Sequence, residues 1–285
     1  MVTTVFGARG NVGRHVAAGL RAGGEPVRVT SRDPDAGGFP PGAEVVAADL
    51  ADPGRLGPAL NGAERVFLYA VPEAVDGFVT AATAAGVCHV VLLSSAAVTY
   101  PPAKVGSDRS GGQIARRHLQ VEQALEQSGL AWTFLRPGMF ATNTRWWWAR
   151  SIRQHSAVRM PHAEAHTAPL HERDIADLAV AALTSEQHKG RAYTLYGPQS
   201  LTYREMTAQL GQAIGRPVAF EELSPGRARA ELGRFMPPEL VDATLQIWAA
   251  GLGGPAPTST ITDDVLGRPG LTFAQWAADH AADFR

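Results

Sequence analysis

Short apolar runs alternate with longer stretches of helical spacing over the first two thirds of the chain. The runs that predict strands are 2–6, 27–30, 44–48, 65–69, 89–94, 132–135 and 192–196. The stretches that predict helices between them are 12–20, 73–85, 113–127 and 175–183. Because short strands separated by helices of about 10–15 residues form βαβ units, this pattern predicts a parallel sheet covered by helices.

A glycine-rich turn joins the first strand to the first helix. The residues of this turn that we expect to bind a ligand are Gly7, Arg9, Gly10, Asn11, Val12 and Gly13, in the pattern G-x-x-G-x-x-G. The first glycine permits a tight turn, the second lets backbone amides approach a pyrophosphate, and the third lets the helix pack on the sheet. The helix N-terminus adds the positive end of its dipole. The turn therefore predicts a dinucleotide site, with a structural turn that binds nothing as the alternative.

The end of the second strand indicates which dinucleotide is bound. An NAD site usually has an acidic residue there, whereas this chain has Ser31 and Arg32. Arg32 would bind a ribose 2′-phosphate through charge-assisted hydrogen bonds, and Arg9 could reach the same phosphate or stack on adenine. These residues favour NADP(H) over NAD(H), unless Asp33 faces the ribose or both arginines are solvated surface charges.

After Gly138 the alternation of strand and helix breaks down. Residues 139–170 are rich in Trp, His and Arg without a clear period, and further helices are predicted at 203–214, 238–250 and 273–284. We expect an α/β fold: a Rossmann-type doubly wound parallel sheet with a smaller, mainly helical C-terminal substrate lobe. The NADP-binding Rossmann domain would comprise 1–138 plus about 171–197, and the substrate lobe about 139–170 plus 198–285.

Composition narrows the possible partners and compartment. The formal net charge of −1 gives no electrostatic footprint for nucleic acid or an anionic membrane. No apolar segment approaches the roughly 20 residues of a membrane span, and no basic region precedes an apolar run at the N-terminus. We expect a cytoplasmic monomer or homodimer. The one cysteine, Cys88, lies in an apolar run and is predicted to be buried.

Several motifs together resemble one family. In chain order they are Gly7-x-x-Gly10-x-x-Gly13, Ser31-Arg32, Asp49-Leu50, Ser94-Ser95, Leu135-Arg136-Pro137-Gly138 with Phe140 and Asn143, and Arg173-Asp174-Ile175-Ala176. With these motifs the chain resembles, over nearly its whole length, the NmrA-like group of atypical short-chain dehydrogenases/reductases. That group includes NAD(P)H:quinone oxidoreductases, isoflavone-reductase-like enzymes and redox-sensing regulators.

The resemblance implies further cofactor contacts at the ends of strands. They are Asp49 and Leu50 for adenine, Tyr69, Ala70 and Val71 for the ribose, Ser94 and Ser95 for the nicotinamide end, and Pro137 and Gly138 for the carboxamide. Each of these residues could instead be a packing residue at the end of its strand.

The catalytic pair of the superfamily is the feature in which the chain departs from the pattern. Such dehydrogenases typically use Tyr-x-x-x-Lys on a helix, and the matching positions of helix 113–127 hold Ile114 and His118. We interpret the literal Tyr100-x-x-x-Lys104 as unrelated, because the prolines that follow Tyr100 disfavour a helix. His118 is the candidate catalytic residue, as a ribose ligand or proton relay. A surface pair with Glu122 is the alternative.

The candidate substrate residues are aromatic or polar: Tyr100, Phe140, Asn143, Trp146 and Trp147. Successive helical residues point about 100° apart, so three adjacent tryptophans, 146–148, cannot all share one face. We expect at least one to form an apolar wall for a flat aromatic ligand and the others to pack between lobes. Four histidines lie within 155–171, but no thiol accompanies them and the His162–His166 pair lies in a predicted loop after Pro161, so no metal is predicted.

Three functions remain open from the sequence. The leading hypothesis is an NADPH-dependent oxidoreductase that transfers hydride to a quinone or conjugated aromatic carbonyl as its small-molecule substrate. A quinone needs less general-acid help than a simple ketone. The second is a non-catalytic NADP(H)-binding redox sensor. The third is a tailoring reductase of specialised metabolism.

Overall fold

The computed structural model describes residues 2–100 and 111–285, and Lys104 lies outside this part of the chain. Its strands are β1 Val2–Val5, β2 Val27–Ser31, β3 Glu44–Ala47, β4 Ala63–Tyr69, β5 His89–Leu93, β6 Ala131–Pro137, β7 Ala157–Met160, β8 His166–Thr167, β9 Arg191–Leu195, β10 Leu201–Thr202 and β11 Ala219–Glu222. Its α-helices are α1 Gly13–Ala22, α2 Leu56–Leu60, α3 Val75–Ala84, α4 Gly111–Gln127, α5 Asn143–His155, α6 Glu172–Thr184, α7 Tyr203–Ile214, α8 Pro225–Leu232, α9 Pro238–Ala250, α10 Ile261–Leu266 and α11 Phe273–Asp279.

Seven parallel strands form the main sheet in the order β3-β2-β1-β4-β5-β6-β9. The strand order reverses between β1 and β4, and the crevice at such a switch point is where open α/β sheets bind ligands. Helices α1 and α6 pack on one face through residues such as Val16 and Leu178, while α2, α3 and α4 cover the other through Leu56, Phe78 and Val121. The chain therefore has the predicted Rossmann-type, doubly wound α/β fold.

A third hydrophobic core lies outside the sheet. It is built by α5, α7, α9 and α11, and its largest side chains are Trp148, Tyr203, Trp248 and Trp276. Every buried residue of this core lies within 141–165 or 201–284. We propose that it is the core of the smaller lobe expected from the sequence.

A buried carboxylate ties this third core to the sheet domain. Glu172, at the start of α6, accepts hydrogen bonds from Trp276 Nε1 at 2.9 Å and from His280 Nε2 at 2.7 Å. Burial alone would raise the pKa of Glu172, but hydrogen bonds with His171 and His280 hold it well below its usual range. The same bond, together with Asp283, raises the pKa of His280 against the opposing effect of burial. The C-terminal segment is thereby held against α6 by an ionic contact.

The structure corrects three local expectations. The segment predicted to lack a period contains helix α5, and Ala157–Met160 pairs in parallel with Ala219–Glu222. Cys88 is exposed, not buried, because it lies in the turn before β5, where its Sγ contacts the Gly86 carbonyl at 3.5 Å.

Across the described ranges, none of the helices has the length and apolar character needed to cross a membrane.

Candidate cofactor and active site

The glycine turn after β1 leaves a concave stretch of bare backbone. Gly7 has φ +72°, and a Cβ on Gly13 would lie 2.3 Å from the Gly7 carbonyl oxygen, so α1 begins against the turn with room for no side chain. The Gly10 amide donates to the same oxygen at 2.8 Å. Val12 is the N-cap of α1, and its side chain makes no capping hydrogen bond in the part of the chain described. The Arg14 and His15 amides of α1 already donate to the Gly10 and Val12 carbonyls, so the described amides left for an anion are those of Asn11, Val12 and Gly13, and the turn fits a dinucleotide pyrophosphate.

The other predicted residues of the turn are open to solvent. Arg9 and Asn11 are exposed, whereas Val12 is buried in the core beneath α1. Any contact of Val12 with a cofactor would therefore come from its backbone, while the side chains of Arg9 and Asn11 could reach a ligand directly.

The ends of β2, β3 and β4 bring several predicted adenosine-end residues together. The Tyr69 ring lies 3.1 Å from where a Cβ on Gly7 would be, so it stands over the turn. Burial raises the pKa of the Tyr69 hydroxyl, nearby Asp49 raises it further, and Arg32 opposes both. Tyr69, Asp49 and Arg32 are therefore close enough to share one electrostatic environment at this edge of the sheet. Ala70 and Val71 follow and are half-buried.

Two residues at this end are held by local contacts. The Ser31 hydroxyl donates to the Asp33 carbonyl at 2.7 Å and accepts from the Asp33 amide at 3.0 Å, while the Arg32 side chain is exposed. Leu50 is buried in the core beside α2, and Asp49 Oδ1 accepts from the Ala51 amide at 3.0 Å. The contacts of these residues with a cofactor stay predictions.

A buried hydrogen-bond network underlies the predicted nicotinamide end. The Ser94 hydroxyl donates to Glu122 Oε1 at 2.5 Å, and Glu122 also accepts from Arg136 Nε at 3.0 Å and Nη2 at 2.6 Å. The Ser94 hydroxyl thus donates its proton within the protein. Ser95 is half-buried, and its hydroxyl oxygen accepts a hydrogen bond from the Ala97 amide at 3.2 Å.

His118 lies half-buried on α4, and its Nδ1 is 2.8 Å from the carbonyl oxygen of Ile114. The alternative interpretation, a surface pair of His118 with Glu122, is wrong, because Glu122 is buried and bonded to Ser94 and Arg136. A catalytic role for His118 would fall to Nε2.

Sequence reasoning missed Tyr196, which follows β9. The Gly138 amide donates to the Leu195 carbonyl at 2.8 Å, and a Cβ on Gly138 would lie 2.7 Å from the Tyr196 ring. Burial raises the pKa of the Tyr196 hydroxyl, and its hydrogen-bond partner Tyr100 raises it further. Pro137, beside Gly138, is buried. The strand-end rule, applied to the seventh predicted strand as well as to the others, would have found Tyr196.

The three tryptophans of α5, from which an aromatic wall was predicted, differ in their exposure. Trp146 is 78% exposed, Trp147 is half-buried with its ring edge-on to Trp248 at 5.4 Å, and Trp148 is buried. A cleft of about 580 Å³ runs from Asn11 to Trp146, and a second of about 350 Å³ joins Trp146 to Trp248. The three tryptophans do point in different directions, as helical geometry predicts.

The remaining substrate candidates lie close to the sheet edge. Phe140 is half-buried and forms a parallel bridge with Leu170, Asn143 is exposed at the first position of α5, and Tyr100 is 41% exposed. In the described part of the chain, no group of three or more His, Cys, Asp or Glu side chains is arranged to hold a metal ion.

Comparison with known proteins decides the family. A family model described as NAD(P)H-binding matches residues 7–186, which begin at the first glycine of the turn. The chain belongs to the NAD(P)H-binding family.

Relatives that align with nearly the whole of this NAD(P)H-binding protein include two reductases. The (4-alkanoyl-5-oxo-2,5-dihydrofuran-3-yl)methyl phosphate reductase of Streptomyces griseus is 41% identical over 287 aligned residues, covering 98% of each chain. The NAD(P)H azoreductase of Xenophilus azovorans is 35% identical, again covering 98% of each chain. The solved NADPH complex of the quinone oxidoreductase QOR2 of Escherichia coli has a TM-score of 0.79 and 24% identity, covering 98% of this chain and 99% of that one, and shares the fold. The chain is thus related to NAD(P)H-dependent reductases, while its narrower placement in the NmrA-like group stays a prediction.

Proposed function

We propose that the protein is an NADPH-dependent reductase that transfers hydride to a conjugated, electron-poor carbonyl acceptor such as a quinone or an unsaturated ring ketone. The observation that carries this proposal is the bare glycine turn at the start of α1, together with two full-length relatives that are reductases. When bound, NADPH would supply the hydride.

The preference for NADPH rests on the arginines at the adenosine end. Arg32 follows β2 at the position where an acidic residue would repel a 2′-phosphate, and Arg9 is exposed in the turn nearby. Two guanidinium groups can bind a phosphate through several charge-assisted hydrogen bonds. The Asp33 amide is bound to the Ser31 hydroxyl, which fixes the backbone that follows Arg32.

The acceptor class rests on what the two relatives have in common. A 4-alkanoyl-5-oxo-2,5-dihydrofuran carries a ring C=C bond conjugated with two carbonyl groups on the same carbon, and an azo compound carries an N=N bond. Either bond accepts hydride at one atom while the negative charge passes into the conjugated system. The exposed ring of Trp146 and the half-buried Trp147 offer apolar surface for such a flat molecule.

The experiment is oxidation of NADPH, followed by absorbance, with a panel of acceptors. The panel contains a benzoquinone, an acylated unsaturated lactone and a simple saturated ketone. We expect turnover with the first two and little with the third, and a lower KM for NADPH than for NADH. Turnover of the saturated ketone alone would contradict the proposed acceptor class.

A second candidate function is the NADP(H)-binding sensor. It is favoured by the fact that Ser94 and His118, both expected at the nicotinamide end, are hydrogen-bonded within the protein. Tight NADPH binding without turnover of any acceptor in the panel would favour the sensor over the reductase.

A further inference from the structure

The proposed reduction needs a proton as well as a hydride. When hydride adds to a conjugated carbonyl, the acceptor oxygen becomes negatively charged and must be protonated. Ser94 donates its proton to Glu122, and the Nδ1 atom of His118 contacts the carbonyl of its own helix. This leaves His118 Nε2 as one candidate donor, and other candidates can be sought at the carboxyl edge of the sheet.

Tyr196 is fixed at this edge by hydrogen bonds on both sides. Before it, the Leu195 carbonyl accepts from the Gly138 amide at 2.8 Å, and after it, the Gly197 amide donates to the Ala168 carbonyl at 3.1 Å. Leu195 is buried in the core on the α1 side of the sheet. Because the backbone on either side is held, the direction of the Tyr196 side chain is set by the end of β9.

The glycine at position 138 makes room for the Tyr196 ring. Any side chain at this position would begin 2.7–2.8 Å from two ring carbons of Tyr196, closer than side-chain carbons normally approach. Gly138 immediately follows β6, which lies on the other side of the switch point from β2 and Arg32, so a dinucleotide that spans the switch point would have its nicotinamide end on the side of Gly138. The ring of Tyr196 is therefore seated directly against the loop expected to border the reacting end of the cofactor.

Tyr100 completes a pair of phenol groups. It follows β5, a neighbour of β6 in the sheet, and its hydroxyl is a hydrogen-bond partner of Tyr196. Tyr196 is half-buried, whereas Tyr100 is 41% exposed. Burial and the Tyr100 contact raise the pKa of Tyr196, so its hydroxyl is protonated at neutral pH and releases the proton only as negative charge develops on an adjacent oxygen. The pair thus connects a protonated phenol at the carboxyl edge of the sheet with a partly exposed one.

We propose that Tyr196 donates the proton to the acceptor oxygen and that Tyr100 passes a replacement proton from solvent to Tyr196. This role rests on the proposed reductase function, and it supplies the proton donor that the reduction needs. An acceptor whose oxygen can lie against a phenol beside Gly138 is the substrate class that it implies.

The atoms and electrons of the step balance as follows. A new C–H bond forms on the acceptor from the hydride and its electron pair, and the π electrons of the conjugated system move to the acceptor oxygen. The O–H bond of Tyr196 breaks as the acceptor O–H forms, and the resulting phenolate takes the proton of Tyr100, which takes one from water. The acceptor is reduced by two electrons and the nicotinamide is oxidised by two.

The test compares Tyr196→Phe on two acceptors that differ in their need for a proton. A quinone requires a proton at oxygen, whereas a triarylmethyl cation becomes neutral on accepting hydride alone. We expect Tyr196→Phe to lower kcat with the quinone by about 10²-fold or more and to leave kcat with the cation nearly unchanged. Tyr100→Phe should give a smaller loss of the same pattern.

The matched control is Tyr193→Phe on the same strand. The Tyr193 hydroxyl is bonded to His188 Nδ1 at 2.8 Å, away from Gly138, so its removal should leave both reactions unchanged. Equal losses on the two acceptors for Tyr196→Phe would indicate a structural role and overturn the proposal. Full quinone activity of Tyr196→Phe, or the same acceptor-specific loss in Tyr193→Phe, would also overturn it.

A binding measurement tests, without turnover, whether Tyr196 contacts a bound oxyanion. 4-Nitrophenolate, an oxyanion probe, should bind the wild-type protein with NADP⁺ and bind Tyr196→Phe about tenfold or more weakly, as measured by its absorbance. The Kd for NADPH should be the same in both proteins. If wild-type protein turned over no acceptor, the reductase proposal would fail, and equal nitrophenolate affinity in the two proteins would separately refute the contact with Tyr196.

Discussion

Replacement of Gly13 by alanine should disturb both the fold and the cofactor site. The added Cβ would lie 2.3 Å from the Gly7 carbonyl oxygen, and side-chain carbons essentially never come within 3.0 Å of such an atom. The two backbone segments must therefore separate by at least the difference, 0.7 Å. Because the obstacle is a carbonyl and not a flexible side chain, the start of α1 has to move away from the turn.

The size of the effect follows from the cost of overpacking. Forcing extra volume into a close-packed site costs about 1–3 kcal/mol, which corresponds to a fall in Tm of about 2–10 °C for a chain of this size. A shift of 0.7 Å in the first amides of α1 also takes them out of hydrogen-bond range of a bound pyrophosphate. We expect the Kd for NADPH to rise about tenfold or more.

The measurements are thermal unfolding by circular dichroism and titration with NADPH by fluorescence. Gly226→Ala in α8 is the matched control, since a Cβ there meets nothing within 4 Å; it should leave Kd unchanged and leave Tm unchanged or slightly raised, because alanine favours a helix over glycine. If Gly13→Ala kept the wild-type Tm and the wild-type Kd, the account of the turn would be refuted.

Three further predictions concern separate parts of the molecule. Arg32→Ala should raise the Kd for NADPH far more than that for NADH, and equal effects in titrations would contradict its contact with the 2′-phosphate. Glu122→Gln should lower the free energy of unfolding in urea by about 3 kcal/mol, because it leaves the buried end of Arg136 without its anion. His280 has a raised pKa through Glu172, so its stabilising charge is fully present below about pH 6.5 and is lost as the pH rises through the folded pKa. The Tm difference between wild type and His280→Asn should therefore shrink from pH 6 to about pH 9, and a difference that grew would contradict this assignment.

The sheet could be predicted because parallel strands are buried on both faces. Strand His89–Leu93, for example, is apolar after its first residue, as expected of a strand that is covered on both faces. Helix α5 escaped prediction because its buried face includes Thr144 and Ala149, which carry little hydrophobic signal, while the strongly apolar Trp146 is exposed. The pairing of β7 with β11 depends on contacts between segments about 60 residues apart, which periodicity does not report.

The sequence predicts the candidate site where the site depends on local backbone, and it does not report contacts between residues that are distant in the chain. The close contact of Gly13 with Gly7 follows from the local pattern of glycines. By contrast, the bond of Ser94 to Glu122 spans 28 residues and engages a hydroxyl that the resemblance places at the nicotinamide end. The strand-end rule points to Tyr196, but its contact with Gly138 depends on β9 lying beside β6, an order that the sequence alone does not fix.

The central claim is that backbone amides at the start of α1 bind the pyrophosphate of the cofactor. The most direct measurement is titration of the ¹⁵N-labelled protein with NADPH while the amide resonances of Asn11, Val12 and Gly13 are followed. The account predicts large shifts of these resonances that saturate together with NADPH binding measured by calorimetry. Saturable binding of NADPH that left these three resonances unmoved, or no binding at millimolar NADPH, would contradict it.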